Sequence, residues 1–289
     1  MEDRRPLGSS GITVRPVGLG GMPLSLQRRP STEESIRVIL AALDAGIDFI
    51  DTADAYCLDQ SDIGHNERLI AAALKQWQGH PVVVATKCGC IRPEGRWERN
   101  GHPDHLRKAC DASLQALGLA QIPLYQLHAP DPAVPFTDSI GALAELQRAG
   151  KIQHIGLSNV SVRQIQQASA TVPVVSVQNR CNPHDRSAWQ QGVIEHCEKN
   201  GIAFLPYSPV GGSRGKELIA HDPALQAVAA RHEATPFQVA LAWLLASSPV
   251  MIPIPGASRA ESAVGSARAM ALKLTADDMA ALNQALPTE

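Results

Sequence analysis

Four polar residues stand where apolar runs end, and their types together could move a proton. Asp51 closes Phe49-Ile50-Asp51, and Tyr56 follows five residues later. Lys87 closes Val83-Val84-Ala85-Thr86-Lys87, and His128 closes Leu124-Tyr125-Gln126-Leu127-His128. A free phenol has a pKa near ~10 and is a weak donor at neutral pH. An ammonium ~4 Å away, at an effective dielectric of about 20, is worth about 4 kcal/mol, roughly three pKa units. Lys87 is therefore expected to lower Tyr56 toward the range useful for general acid work. A cation at a partly buried strand end needs a counter-charge, which Asp51 supplies. His128 can hydrogen-bond a carbonyl oxygen and fix its direction. The set suits protonation of a carbonyl oxygen as charge builds on it. It holds no electron source, so a reduction would need a cofactor.

The elements that must position these residues follow a recurring punctuation. A helical pattern ends in Gly and an apolar, β-prone run follows at once: Ala45-Gly46-Ile47, Ala149-Gly150-Lys151 and Asn200-Gly201-Ile202. Gly just past a helix takes the left-handed conformation that turns the chain back. Strands are expected at 17–20, 47–53, 82–86, 123–127, 152–158, 174–177, 202–207 and 250–253. Helical patterns separate them at 33–45, 64–77, 104–117, 137–149, 161–170, 186–199, 235–247 and 259–269. Alternation of this kind implies parallel strands with crossover helices, and eight units imply an α/β fold of the closed (β/α)8 TIM barrel type. One domain, 1–289, is expected. Residues 7–14 are expected to form an N-terminal β-hairpin closing the barrel bottom. A last helix, 276–286, follows Thr275 as N-cap. The longest loops are expected at 208–223 and 88–103, both after strand ends, where barrel active sites lie. Singly, each of the four polar residues reads as readily as a surface loop residue. On consecutive strand ends of one barrel they converge on one pocket.

Composition excludes several classes. Of 289 residues, 44% are hydrophobic and 19% charged, so a large core can form and disorder is excluded. The net charge of −2 comes without a basic cluster, so no nucleic-acid partner is expected. No apolar run reaches the ~18 residues of a membrane span, and the first residues lack the apolar centre of a signal peptide. A cytoplasmic protein with no membrane partner is expected. Six cysteines, at 57, 88, 90, 110, 181 and 197, are expected as free thiols, and Cys88-Gly89-Cys90 has neither redox nor common zinc spacing, so no metal is expected. A dinucleotide fingerprint is missing: Gly18-Leu19-Gly20-Gly21-Met22-Pro23 fails at the third glycine, and Gly215-Lys216-Glu217 is not a phosphate loop.

Read together, the stretches 46–56 (GIDFIDTADAY), 85–87 (ATK), 124–128 (LYQLH), 150–159 (GKIQHIGLSN), 177–179 (VQN), 206–212 (PYSPVGG) and 252–257 (IPIPGA) resemble the aldo-keto reductases over nearly the whole chain. The resemblance implies a barrel that binds NADPH (NADP) extended, without a Rossmann unit, and reduces aldehydes and ketones. It implies that Tyr56 is the general acid, tuned by Lys87 and Asp51, with His128 orienting the carbonyl. Ser158, Asn159 and Gln178 would hold the nicotinamide carboxamide, and Tyr207 would stack on its ring. Gly21, Met22 and Asp51 would flank the cofactor. Ser208, Pro209, Val210 and Gly211 would cover the pyrophosphate. Gly256, Ser258 and Arg259 would meet the adenosine 2′-phosphate at a helix start, the ground for preferring NADPH to NADH.

Two departures from the family pattern stand out. Cys57 replaces the usual Gly after the catalytic tyrosine, and Gly265 and Ser266 replace an acid–Asn pair that contacts adenine. Met22, Tyr56, Trp97 and His128, with Tyr207, are expected to line the substrate pocket. Arg92, Arg96 and Arg99 crowd its loop, where they either attract an anionic substrate or form a solvated charged loop. Stretches 154–160, 234–245 and 254–257 also resemble the bacterial pyridoxal-reductase branch, which implies an aromatic aldehyde. The expected partner is therefore a small-molecule carbonyl substrate. Two alternatives stay open at this point. One is a non-enzymatic partner subunit on the same fold that keeps the cofactor. The other is a barrel isomerase or lyase without one.

Overall fold

This computed structural model describes residues 3–285, and of residues 213 and 214 the backbone alone. Leu286, expected to end the last helix, and the other ends of the expected 1–289 unit lie outside the described residues. The strands are β1 (Arg5–Pro6), β2 (Thr13–Val14), β3 (Leu19–Gly20), β4 (Phe49–Asp51), β5 (Val83–Cys88), β6 (Cys90–Ile91), β7 (Glu98–Arg99), β8 (Ile122–Leu127), β9 (Ile152–Ser158), β10 (Val174–Gln178) and β11 (Ala203–Phe204). One seven-stranded sheet runs in the order β11-β10-β9-β8-β5-β4-β3, parallel throughout.

The sheet curls and closes through the segment 250–256. Phe204 bridges Met251, and Gly20 bridges Gly256. On one side, the amides of Ile252 and Ile254 donate to the carbonyls of Phe204 and Pro206 at 2.8 and 3.2 Å. On the other, the carbonyls of Pro253 and Pro255 accept from Gly18 and Gly20 at 2.9 Å each. A proline has no N–H to return. The expected strand at 250–253 is therefore present as an eighth stave without a regular ladder, and the architecture is a (β/α)8 barrel.

Local chemistry sets the helices. Capping boxes start three of them: Ser31 with Glu34, Ser161 with Gln164, and Thr235 with Gln238. The punctuating Gly46, Gly150 and Gly201 all have positive φ, at 93°, 73° and 61°. Thr275 accepts from the amide of Asp278 at 3.1 Å and starts the helix Ala276–Ala285. Two expectations are corrected. The loop expected over 208–223 is largely the helix Gly212–His221, and a further helix, Pro223–Arg231, follows. The loop expected over 88–103 carries the antiparallel pair β6–β7.

One apolar core lies between staves and helices. A second fills the barrel, from Phe49, Leu124, Val175, Leu205 and Ile252 with Leu7 and Val14 of the hairpin β1–β2. The hairpin thus plugs the floor. Its Gly8 has φ +59°, and a Cβ there would stand 2.0 Å from the Val175 carbonyl oxygen. Gly8→Ala is expected to cost at least ~2 kcal/mol, because both the backbone conformation and the space exclude a side chain. Thermal unfolding should show a Tm lower by roughly 4 °C or more.

Candidate active site

The C-terminal ends of the parallel strands bring the expected residues to one place. Asp51 ends β4, Lys87 lies one residue before the end of β5, His128 follows β8, Ser158 ends β9 and Gln178 ends β10. The register aligns them across the sheet: Asp51 pairs with Ala85, Lys87 with Gln126, and Ser158 with Gln178.

Lys87 is 0% exposed, and its Nζ donates to Asp51 Oδ2 at 2.6 Å, the Thr52 carbonyl at 2.8 Å and Tyr56 Oη at 3.0 Å. All three ammonium protons thus have an acceptor. Asp51 Oδ1 accepts from Gln178 Nε2 at 2.8 Å and Gln126 Nε2 at 3.0 Å. A buried ion pair needs its remaining lone pairs satisfied in this way. Sequence alone assigns Gln126 no role. Its signal was a polar side chain inside an otherwise apolar strand run.

The electrostatics differ from expectation at Tyr56. Burial pushes the phenol up to about 12; Lys87 pulls it down less strongly, and the Asp51 charge pushes up again. The counter-ion that holds the lysine also cancels much of its field at the phenol. Tyr56 is therefore not lowered, and it stays protonated across the physiological range. It remains a competent acid toward an alkoxide, which is a far stronger base than a phenolate because its conjugate alcohol resembles water. Lys87 is raised above the usual lysine value: burial opposes this, and the Asp51 and Tyr56 partners outweigh it. His128 is held well below the ordinary histidine value by burial and then by Lys87, so its ring is neutral. Its Nδ1 is buried and has no hydrogen-bond partner among the described residues.

The rings of Tyr56, Trp97 and His128 form a corner. Tyr56 to His128 is 5.7 Å between centroids, Tyr56 to Trp97 6.3 Å and Trp97 to His128 5.8 Å, with interplanar angles of 82°, 77° and 74°. Trp97 (47%) and Met22 (40%) are exposed, unlike most large apolar side chains of the chain. Of the three arginines on this loop, Arg92 is buried and Arg96 pairs with Glu94 and Glu98 at 2.5 and 3.2 Å. Cys57 is buried, its thiol donates to the Ala55 carbonyl at 3.4 Å, and burial pushes it up to about 11, so it stays in the unreactive thiol form.

The expected cofactor residues form a rim around the same mouth. Asn159 takes a left-handed φ of 57°; its Nδ2 donates to the His128 carbonyl at 2.9 Å and to Ser158 Oγ at 3.0 Å. Its Oδ1 accepts from the Tyr207 hydroxyl at 2.9 Å. The amide of Gln178 is committed to Asp51 and Gln126, which leaves its carbonyl oxygen to offer. Ser208 also has positive φ (50°), and its carbonyl accepts from Gly211 at 3.0 Å. Two non-glycine residues held left-handed on one rim mark a place where geometry is imposed. Pro209 and Val210 complete that turn, and Gly211 starts the helix Gly212–His221 with no side-chain cap on its first amides.

Across the mouth, Gly21 is tied down by Asn66, whose Nδ2 donates to the Gly21 carbonyl at 2.9 Å and whose Oδ1 accepts from Thr52 Oγ1 at 2.6 Å. Asn66 was not singled out from sequence. Gly256, Ser258 and Arg259 are exposed at the start of the helix Ala260–Arg268, also without a side-chain cap. Uncapped helix starts, an exposed guanidinium, a half-buried tyrosine and paired amides fit an extended nicotinamide dinucleotide.

The family model described as the aldo/keto reductase family matches residues 16–287. An uncharacterized oxidoreductase of Schizosaccharomyces pombe is 35% identical over 278 residues, 94% of this chain and 87% of the relative. A probable aldo-keto reductase of Glycine max is 33% identical over 313 residues, 97% of this chain and 88% of the relative. Among solved structures, a thermostable aldo-keto reductase in complex with the inhibitor epalrestat superposes with a TM-score of 0.82 at 30% identity, over 98% of this chain and 99% of the other. A glycerol dehydrogenase from Gluconobacter oxydans shares the fold, with a TM-score of 0.86 at 24% identity, over 98% and 94%.

Proposed function

Since the chain belongs to the aldo/keto reductase family, we propose that it reduces aldehyde or ketone carbonyls to alcohols with NADPH, Tyr56 giving the proton. The observation that carries the reading is the buried chain Asp51–Lys87–Tyr56, opening on the neutral ring of His128. Bound on the rim, the reduced nicotinamide supplies the hydride that the carbonyl carbon accepts.

The chain's own residues do the rest. His128, neutral, can donate to the carbonyl oxygen without competing for its proton. Tyr56 Oη holds the proton that the developing alkoxide takes, and the transfer runs toward the stronger base. Lys87, its positive charge fixed 3.0 Å from that oxygen, stabilises the phenolate that forms. Asp51, held by two glutamine amides, keeps the ammonium charged and aimed. Ser158, Asn159, Gln178 and Tyr207 orient the nicotinamide. Ser208 to Gly211, with Gly21, Met22 and Gly256, seat the pyrophosphate stretch. Ser258 and Arg259 meet the 2′-phosphate. Met22, Trp97 and His128 wall the carbonyl compound.

Fluorescence titration with NADPH and NADH, followed by NADPH consumption over a panel of aldehydes, tests the reading. Tight quenching by NADPH and turnover above the enzyme-free rate are expected. No quenching by either nucleotide, or no turnover with any aldehyde, would overturn it. Arg259→Ala is expected to raise the Kd for NADPH about tenfold, the worth of one charge-assisted hydrogen bond, and to leave NADH unchanged. An equal loss for both nucleotides would assign Arg259 to the helix start instead.

A further inference from the structure

Arg92 carries a buried charge whose partners explain neither solubility nor an ion pair. It is 3% exposed. Its guanidinium donates to the Gly95 carbonyl at 2.7 and 3.2 Å, to the Leu58 carbonyl at 3.2 Å and to the Ala55 carbonyl at 3.5 Å. Its backbone amide donates to Gln60 Oε1 at 3.0 Å. Its Cζ lies over the Trp97 ring, 4.2 Å from the ring centre. The hydrogen bonds of that guanidinium go to backbone carbonyls, and those carbonyls belong to two loops. One loop, 55–58, flanks Tyr56. The other, 93–95, joins β6 to β7 and leads to Trp97.

We propose that Arg92 is a positioning residue for substrate selection: it ties the tyrosine loop to the β6–β7 hairpin and fixes the Trp97 ring as a wall that favours flat, aromatic carbonyl compounds. Burying a guanidinium costs free energy that only a full set of acceptors offsets. Arg supplies what the place requires, a planar fork of donors and a face that stacks on an aromatic ring. With one indole face covered by Arg92, the ring is held near-perpendicular to Tyr56 and His128. A flat substrate ring fits beside a fixed indole better than beside a rotating one, because less freedom is lost on binding. A short aliphatic aldehyde has no flat face to lay on that wall and gains less from it. Lys87 and Asp51 hold Tyr56 independently of Arg92, so the effect falls on binding and not on proton transfer.

The inference rests on the carbonyl-reductase reading, and its test separates the two. Arg92→Met, Arg92→Lys and Trp97→Ala are made in the full chain. Benzaldehyde and propanal are assayed with NADPH, and tryptophan fluorescence is quenched with acrylamide. Trp97 is the most exposed of the four tryptophans, so it dominates the quenchable signal. Arg92→Met is expected to raise KM for benzaldehyde about tenfold, the worth of one aromatic contact, and to leave kcat within about twofold. KM for propanal should rise clearly less than KM for benzaldehyde in Arg92→Met, Arg92→Lys should fall between, and Trp97→Ala should raise KM for benzaldehyde at least as much as Arg92→Met. Acrylamide quenching should rise in Arg92→Met and fall in Trp97→Ala.

Parent-like KM for benzaldehyde in Arg92→Met would overturn the inference. So would a fall in kcat shared by both aldehydes. If the parent reduces neither aldehyde, the nucleotide titration and the full aldehyde panel decide the functional reading, and quenching alone decides the clamp: a rise in Arg92→Met supports it and no change overturns it. Should Arg92→Met not fold, Arg92→Lys carries the same comparison, because its ammonium reaches one loop at a time and stacks poorly.

Discussion

Tyr56→Phe is expected to lower kcat for aldehyde reduction by roughly 10²- to 10⁴-fold, the usual contribution of a positioned acid. The substitution removes one oxygen from a site otherwise intact. Lys87 keeps Asp51 and the Thr52 carbonyl, so the ammonium stays paired. The Kd for NADPH and the far-UV circular dichroism should therefore match the parent. The pH profile gives a second, independent readout. The phenol works while protonated, and burial places its pKa at about 12. Reduction by the parent should therefore run level through neutral pH and fail only as pH climbs toward 12. No limb should appear at the ordinary histidine value, because burial and Lys87 hold His128 well below it. Alcohol oxidation needs the phenolate and should rise with pH over the same alkaline range. The alkaline limb should vanish in Tyr56→Phe. Turnover at the parent rate in that variant would mean that another group gives the proton.

Lys87→Met is expected to remove activity and to destabilise the fold. It leaves the Asp51 carboxylate, 1% exposed, with two amide donors and no counter-charge. Breaking a buried pair from one side costs ~3–5 kcal/mol. For a chain of this size that is a Tm lower by roughly 10 °C. Asp51→Asn alone should also destabilise, since the buried ammonium then lacks its anion. The double variant Asp51→Asn with Lys87→Met should recover part of the loss, because the charges leave together. Thermal unfolding of the four proteins gives the coupling directly, and simple additivity of the two single effects would deny the pair its role.

The candidate constellation was legible because Asp51, Lys87 and His128 each close an apolar strand run, Tyr56 follows on the loop after the first, and a barrel sends strand ends to one face. Its electrostatics were less so. Spacing brought Lys87 and Tyr56 within reach, but the depth of burial and the opposing field of Asp51 are properties of the packed site. Gln126 was overlooked for a related reason: a single amide in LYQLH looks unremarkable until the register places it on the carboxylate. Prolines at 253 and 255 kept the eighth stave from forming a regular ladder, although its apolar run is plain in the sequence. The helix Gly212–His221 hid behind glycines at 211, 212 and 215, which read as a loop; Gly211 and Gly212 take left-handed φ of 85° and 62° at its start, and Gly215 sits inside it. Arg92 looked like one of three loop cations. Only its cage of carbonyl oxygens sets it apart from Arg96, which meets solvent and two glutamates.

The proline-bearing stave has a consequence for how the protein holds together. Along the line where the first and last staves meet, amides offer bonds in one direction only: Gly18 and Gly20 give, and Pro253 and Pro255 receive. Cohesion across that line leans on side chains and on the floor hairpin. Gly21 and Gly256 sit at its upper end, on opposite edges. A molecule lying across both would act as a clasp, and its binding free energy would add to the cohesion of the barrel itself.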